Sequence, residues 1–250
     1  MKIKKEKKFI FKKVKKILEL DVSLLKKIEI IWRKINLLKI LKNKYEYKKR
    51  NKYLLENGES ILFNIDNIFK KVQIEYWLDY GTLLGCIRDR DFIEYDDDID
   101  LGVIFPGEGK KYKEMVKLFL EEGFIRKGIF LVKDRLTIEK FQYGEITVDI
   151  FYYTKDNFSK EIETFTGVVK IDGEIEVWSC NNIYSGIIRQ KFKNIEVNIM
   201  KDSDLYLKNY YGKNYQEKIK NFDWRKLENY KLTNYKYERI FFDKNKGIKE

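Results

Sequence analysis

The run Asp98-Ile99-Asp100-Leu101-Gly102-Val103 constrains the fold of this chain more than any other stretch. Alternate residues of a strand share a face, so Asp98 and Asp100 point one way while Ile99, Leu101 and Val103 alternate into a core. Two carboxylates are thereby presented side by side. Carboxylates ~4 Å apart repel by roughly 4 kcal/mol at an effective dielectric near 20, a large part of the ~5–15 kcal/mol by which a domain is stable. The pattern predicts a bound cation, and an all-oxygen ligand set favours the hard ions Mg²⁺ and Mn²⁺. Asp96-x-Asp98-x-Asp100 also imitates the start of an EF-hand loop. The imitation ends at Leu101, where the loop needs Gly, and at Gly107, where it needs a bidentate Glu.

A third acid stands in Thr147-Val148-Asp149-Ile150-Phe151. On a strand, Asp149 faces away from its two apolar neighbours and would be half-buried unless it lies beside the first pair of acids. Asp149 is therefore expected next to Asp98 and Asp100. Upstream, Tyr80-Gly81-Thr82-Leu83-Leu84-Gly85 reads as a strand-to-helix junction. Gly81 would let the backbone approach a ligand, Thr82 would cap the helix, and the helix N-terminus would attract phosphate. Arg88 would either bind a phosphate through both guanidinium nitrogens or pair with a neighbouring acid. No P-loop or dinucleotide-binding glycine pattern occurs; Gly107-Glu108-Gly109-Lys110 matches neither.

Composition narrows the chemistry further. With no His at all, zinc sites of the His type, Ser-His or Cys-His nucleophiles and imidazole acid/base catalysis are excluded. Cys86 and Cys180 show neither a disulfide framework nor metal-ligand spacing and read as buried thiols of a reducing compartment. Catalysis must run on carboxylates, Lys, Arg, Tyr, hydroxyls or a hard metal ion. At 44% hydrophobic and 16% aromatic the chain can build a full core despite 37% charged residues. No apolar run reaches the ~20 residues of a membrane span, and lysines interrupt the start where a signal peptide would be apolar. A soluble, cytoplasmic protein is expected.

The net charge of +12 is concentrated at one end: residues 1–56 hold 20 Lys/Arg against 6 Asp/Glu. There Ile10, Val14, Ile17, Leu24, Leu25, Ile28, Ile31, Trp32, Ile35, Leu38 and Leu41 recur at spacings of three and four, predicting amphipathic helices that stop at Asn57-Gly58. Two readings of their lysine face stand: a solvated extension packed on the domain, or peripheral attachment to an anionic membrane at its inner face. No nucleic-acid motif accompanies the charge, and no nucleic-acid partner is expected.

From residue 59 helix and strand signals interleave. Helices are predicted over 60–72, 82–88, 110–122 and 202–211, the last closed by Gly212. Strands are predicted over 74–80, 98–105, 124–132, 136–143 and 146–153, and residues 162–200 are β-rich. The fold class is α/β (α+β), a mixed sheet flanked by helices.

Together these residues resemble the nucleotidyltransferase fold, and more narrowly the LicD and fukutin/fukutin-related family. The similarity is carried by Leu78-Asp79-Tyr80-Gly81-Thr82-Leu83-Leu84-Gly85, Arg88, Phe92-Ile93, Asp96-Asp97-Asp98-Ile99-Asp100-Leu101 and Asp149-Ile150-Phe151. Tyr206-Leu207-Lys208-Asn209-Tyr210-Tyr211-Gly212 is similar to the helix that closes the family's domain. The chain departs from the family at Glu94-Tyr95, where Pro-Trp is usual, and near Met200, where a Pro is expected. The resemblance spans about residues 60–215 and implies a LicD-like domain over residues 57–215; outside it, a basic amphipathic helical extension is expected over 1–56 and a Tyr/Lys-rich extension packed on the domain over 216–250. It implies transfer of a phospho-substituent, such as phosphocholine or ribitol phosphate, from a CDP-linked donor to a sugar hydroxyl of a cell-surface glycan or glycolipid acceptor, as in lipopolysaccharide biosynthesis. Asp98 and Asp100 would hold Mg²⁺ (or Mn²⁺), and Asp149 would complete the metal site or take the acceptor proton. Gly81, Thr82 and Arg88 would hold the donor phosphates, with Asp96 supporting the metal loop. Two alternatives remain: transfer of NMP to a small molecule, RNA or protein, and a non-catalytic binding protein on the same scaffold.

Overall fold

The computed structural model describes residues 22–170, 174–218 and 224–242. Ile10, Val14 and Ile17 of the N-terminal pattern lie outside them. Packing divides the chain into two units, residues 1–48 and 49–250. Helix α1, Val22–Val72, supplies the described part of the first unit and continues into the second.

Within the second unit α1 buries Leu54, Ile61, Leu62, Ile65, Ile68, Phe69 and Val72, a stripe at helical spacing against the sheet. The expected stop at Asn57-Gly58 is overturned, because α1 runs straight through it. A Cβ on Gly58 would lie 2.6 Å from the Phe92 ring. The glycine serves close packing inside the helix, and burial of the flanking leucines and isoleucines outweighs the ~1 kcal/mol that Gly costs there.

The remaining elements interleave in the mixed α/β arrangement that the sequence predicts. They run β1 Tyr76–Leu78, α2 Tyr80–Leu84, β2 Asp98–Ile104, α3 Lys110–Glu121, β3 Ile125–Val132, β4 Arg135–Tyr143, β5 Ile146–Lys155, β6 Glu161–Val169, β7 Ile175–Ile183, β8 Ile187–Phe192, β9 Ile195–Met200, α4 Ser203–Tyr211, β10 Tyr230–Leu232 and β11 Tyr237–Phe241. Strand β1 is shorter than expected, because Tyr80 leaves the extended region (φ 37°) and opens α2. Beyond α2 the chain makes a wider π-helical turn, Gly85–Asp89.

Strand β5 is the hub of the sheet. It pairs antiparallel with β4, antiparallel with β6 at its far end, and parallel with β2. Its burial is nearly continuous from Val148 to Tyr153, as expected of a strand covered on both faces. On β2, Ile99, Leu101 and Val103 are fully buried, so the alternation read from the sequence is present in the fold. Strands β10 and β11 add to the sheet on β7 and β3.

Candidate active site

The parallel register of β2 and β5 sets Asp100 directly beside Asp149 and Asp98 beside Thr147. Carboxylate oxygens of Asp98, Asp100 and Asp149 lie within 4.8 Å of one another, and so do those of Asp96, Asp97 and Asp98. The expected convergence of the three acids is therefore present. Burial pushes the Asp98 and Asp100 carboxyls well above the usual range, and repulsion from the neighbouring aspartates adds to it. Asp96 is pushed up to about 6, chiefly by burial.

Asp149 is 6% exposed. Burial raises its pKa, opposed by the ammonium of Lys140, which lies opposite it on β4 and ion-pairs with Oδ2. Asp149 Oδ1 is buried with no hydrogen-bond partner. A buried carboxylate oxygen without a hydrogen-bond partner, on a residue grouped with two further carboxylates, is unfavourable without a cation, so these residues fit a hard divalent ion.

Each acid is held in place by a different element. Thr82, 1% exposed in α2, accepts the main-chain N–H of Asp100 on its Oγ1 at 2.9 Å. Thr82 is thus not the helix cap expected from the sequence. Asp79 is the cap, because the chain is still extended there and its carboxylate accepts the Tyr80 N–H at 2.8 Å. The anion at this helix start is Asp79 itself. A Cβ on Gly81 would lie 2.6 Å from Asp96 Oδ2, so the missing side chain admits Asp96. From α1, Arg50 Nε donates to Asp97 at 2.7 Å and Asn51 Nδ2 to the Asp96 carbonyl at 2.6 Å. Arg88 is turned to Asp89, which accepts from its Nε at 3.0 Å and from a terminal nitrogen at 2.8 Å. The structure thus groups Asp96, Asp98, Asp100 and Asp149 beside Gly81, braces Asp100 through buried Thr82, and engages Arg88 with Asp89.

A cavity of about 330 Å³ adjoins the acids, bounded by Gly81, Asp96, Asp100 and Thr166 and walled by Tyr80, Phe151, Tyr210, Tyr211 and Tyr230. The Tyr80 ring lies 4.6 Å from both Phe151 and Tyr210. Its left-handed backbone is a strain of the sort that tight functional geometry sustains. Beneath this wall Asp79 is completely buried and accepts from Tyr153 at 2.7 Å and Tyr206 at 3.2 Å. Burial pushes its carboxyl up to about 7 against those bonds.

Sequence reasoning missed Lys140, Asp79, Arg50, Asn51 and the aromatic wall. The only signals were the Asp79 and Tyr210-Tyr211 positions inside segments already singled out; the others depend on cross-strand register or on α1 continuing past Gly58.

Residues 73–177 match the family described as LicD/FKTN/FKRP, nucleotidyltransferase domain. That segment is similar to LicD-type domains. All four grouped aspartates, Gly81 and Lys140 fall inside the LicD match, whereas Tyr210, Tyr211 and Tyr230 lie beyond it. An uncharacterized protein of Rickettsia typhi is 29% identical over 132 residues, covering 52% of this chain and 37% of that protein. The ribitol-5-phosphate transferase FKTN of Mus musculus is 25% identical over 187 residues, and that of Homo sapiens 22% over 188; each alignment covers 72% of this chain and 36% of the relative. The chain thus spans little more than a third of the length of these curated relatives. Among the described residues no helix is long and apolar enough to cross a membrane.

Proposed function

We propose that this protein transfers a phospho-substituent from a CDP-linked donor to a sugar hydroxyl of a glycan, with Mg²⁺ or Mn²⁺ as cofactor. The observation that carries this reading is the Asp98, Asp100 and Asp149 cluster, with the orphaned Oδ1 of buried Asp149, inside a segment that matches the LicD family in a chain whose relatives include a ribitol-5-phosphate transferase.

Asp98, Asp100 and Asp149 would hold the ion, which supplies neutralisation of phosphate charge. The chain itself contributes position. Thr82 and the β2–β5 register hold the carboxylates rigid, and the aromatic wall offers flat faces to the donor and excludes water around it. Lys140 holds Asp149 Oδ2, leaving Oδ1 for the ion or for the proton of the attacking hydroxyl. A carboxylate whose pKa burial has raised is suited to that second role, so the absence of His is no obstacle. Arg88, bound to Asp89, would reach phosphate only by leaving that carboxylate.

The test is incubation with Mg²⁺, a glycan acceptor and CDP-choline, CDP-ribitol or CDP-glycerol labelled in either half. Release of CMP with the labelled phospho-alcohol on the acceptor is expected. The nucleotidyltransferase description of the matched family favours a second reading, NMP transfer. Label from the nucleoside half on the acceptor would establish that reading and overturn the first.

A further inference from the structure

The first half of α1 carries an unusual surface. From Ile28 to Tyr45, ten large apolar side chains are each at least 45% exposed. Ile28, Ile31, Ile35 and Leu38 follow one another at steps of three and four along one side, exposed by 46%, 56%, 45% and 65%. Burying a side chain of this size is worth roughly 1.5–3 kcal/mol, so such a row stands in water only at considerable cost. Seven basic residues occupy positions 27–48 against two acids, Glu29 and Glu46. Glu29 is already paired with Arg33 at 2.8 Å.

Three occupants could cover this helix. A second copy would pack row against row, but Lys27, Lys34 and Lys39 border the row and Lys42 falls in it at the next step, so lysines would meet lysines with few acids to match. A nucleic acid would satisfy the lysines and leave the isoleucines and leucines in water. An anionic bilayer satisfies both: the aliphatic side chains enter the headgroup and acyl boundary, and the lysine stems run along it to reach lipid phosphates. The charges that prevent this helix from crossing a membrane are the ones that suit it to lie on one.

We infer that residues 27–48 form a lipid-facing surface by which the protein lies on an anionic bilayer. The inference does not rest on the transferase reading. The full chain is floated with vesicles of phosphatidylcholine alone or of phosphatidylcholine with phosphatidylglycerol. It is expected to rise with the mixed vesicles only and to be released by high salt. Ile31→Asp with Leu38→Asp, and separately Lys34→Glu with Lys39→Glu, should each lower vesicle binding at least tenfold while leaving helical circular dichroism and Mg²⁺ binding intact. Flotation that is absent, equal on both vesicle types or unchanged in both variants overturns the inference. So does a concentration-dependent dimer that Leu38→Asp dissolves without any vesicle binding.

Discussion

Lys140 faces Asp149 across the β4–β5 ladder, and its ammonium engages Oδ2 while the buried Oδ1 has no hydrogen-bond partner. Lysine therefore offsets part of the repulsion among the acids and also competes for the carboxylate that a divalent ion needs. Lys140→Met should tighten Mg²⁺ binding several-fold and lower the melting temperature of the metal-free protein. Calorimetric titration and thermal unfolding check both effects; unchanged affinity and stability would show the pair to be incidental.

Asp100→Asn and Asp149→Asn remove a charge from the crowded cluster. Each should abolish divalent-ion binding and transfer. In the metal-free protein Asp100→Asn should raise stability by about 1 kcal/mol or more, because like-charge repulsion is relieved. Denaturant unfolding with and without Mg²⁺ separates these effects, and a variant that stayed fully active would sink the metal assignment.

Asp79 sets a pH dependence. Its pKa is about 7 in the folded protein and near the ordinary carboxylate value when unfolded, so between roughly pH 4 and 7 the unfolded chain loses a proton that the folded chain keeps. Stability contributed by this group is thus present at low pH and lost as pH rises to 7, by as much as ~4 kcal/mol. Asp79→Asn keeps one acceptor oxygen for the Tyr80 amide and turns its amide nitrogen toward the Tyr153 hydroxyl, which in the native protein bonds the other carboxylate oxygen, and it should flatten that share of the profile. Parallel curves for the two proteins would contradict the burial argument.

Gly81→Ala drives a methyl group into Asp96 Oδ2 and should lower transfer at least tenfold with a stability loss of about 1–3 kcal/mol. Initial rates with saturating Mg²⁺ test this, since a merely weakened ion site would recover.

Gly58→Ala sets helix propensity against packing. The intrinsic gain is about 1 kcal/mol, but the new Cβ meets the Phe92 ring, so net destabilisation is expected on thermal unfolding.

Much of the site is legible in the sequence because strand alternation is local. Asp100 and Asp149 each lie between apolar neighbours that reveal which face the carboxylate takes, Asp98 shares the face of Asp100 two residues on, and their meeting needs only that β2 and β5 adjoin. Lys140 was not legible, since its partner is set by a hairpin register that Lys140 and Asp149 do not encode separately. Gly58 misled because glycine in a helix signals a stop unless an aromatic ring from a distant segment requires the space. Thr82 misled in a similar way: a hydroxyl near a helix start suggests a cap, but Asp79, three residues earlier, captured that role and left Thr82 to brace β2.

The parallel pairing of β2 with β5 has one further consequence. Helix α3 and the β3–β4 hairpin lie between the two strands in sequence, so closure of that whole crossover precedes any encounter of Asp149 with Asp98 and Asp100. A nascent or partly folded chain therefore keeps Asp149 away from Asp98 and Asp100, and the three-carboxylate arrangement exists only once the crossover has closed.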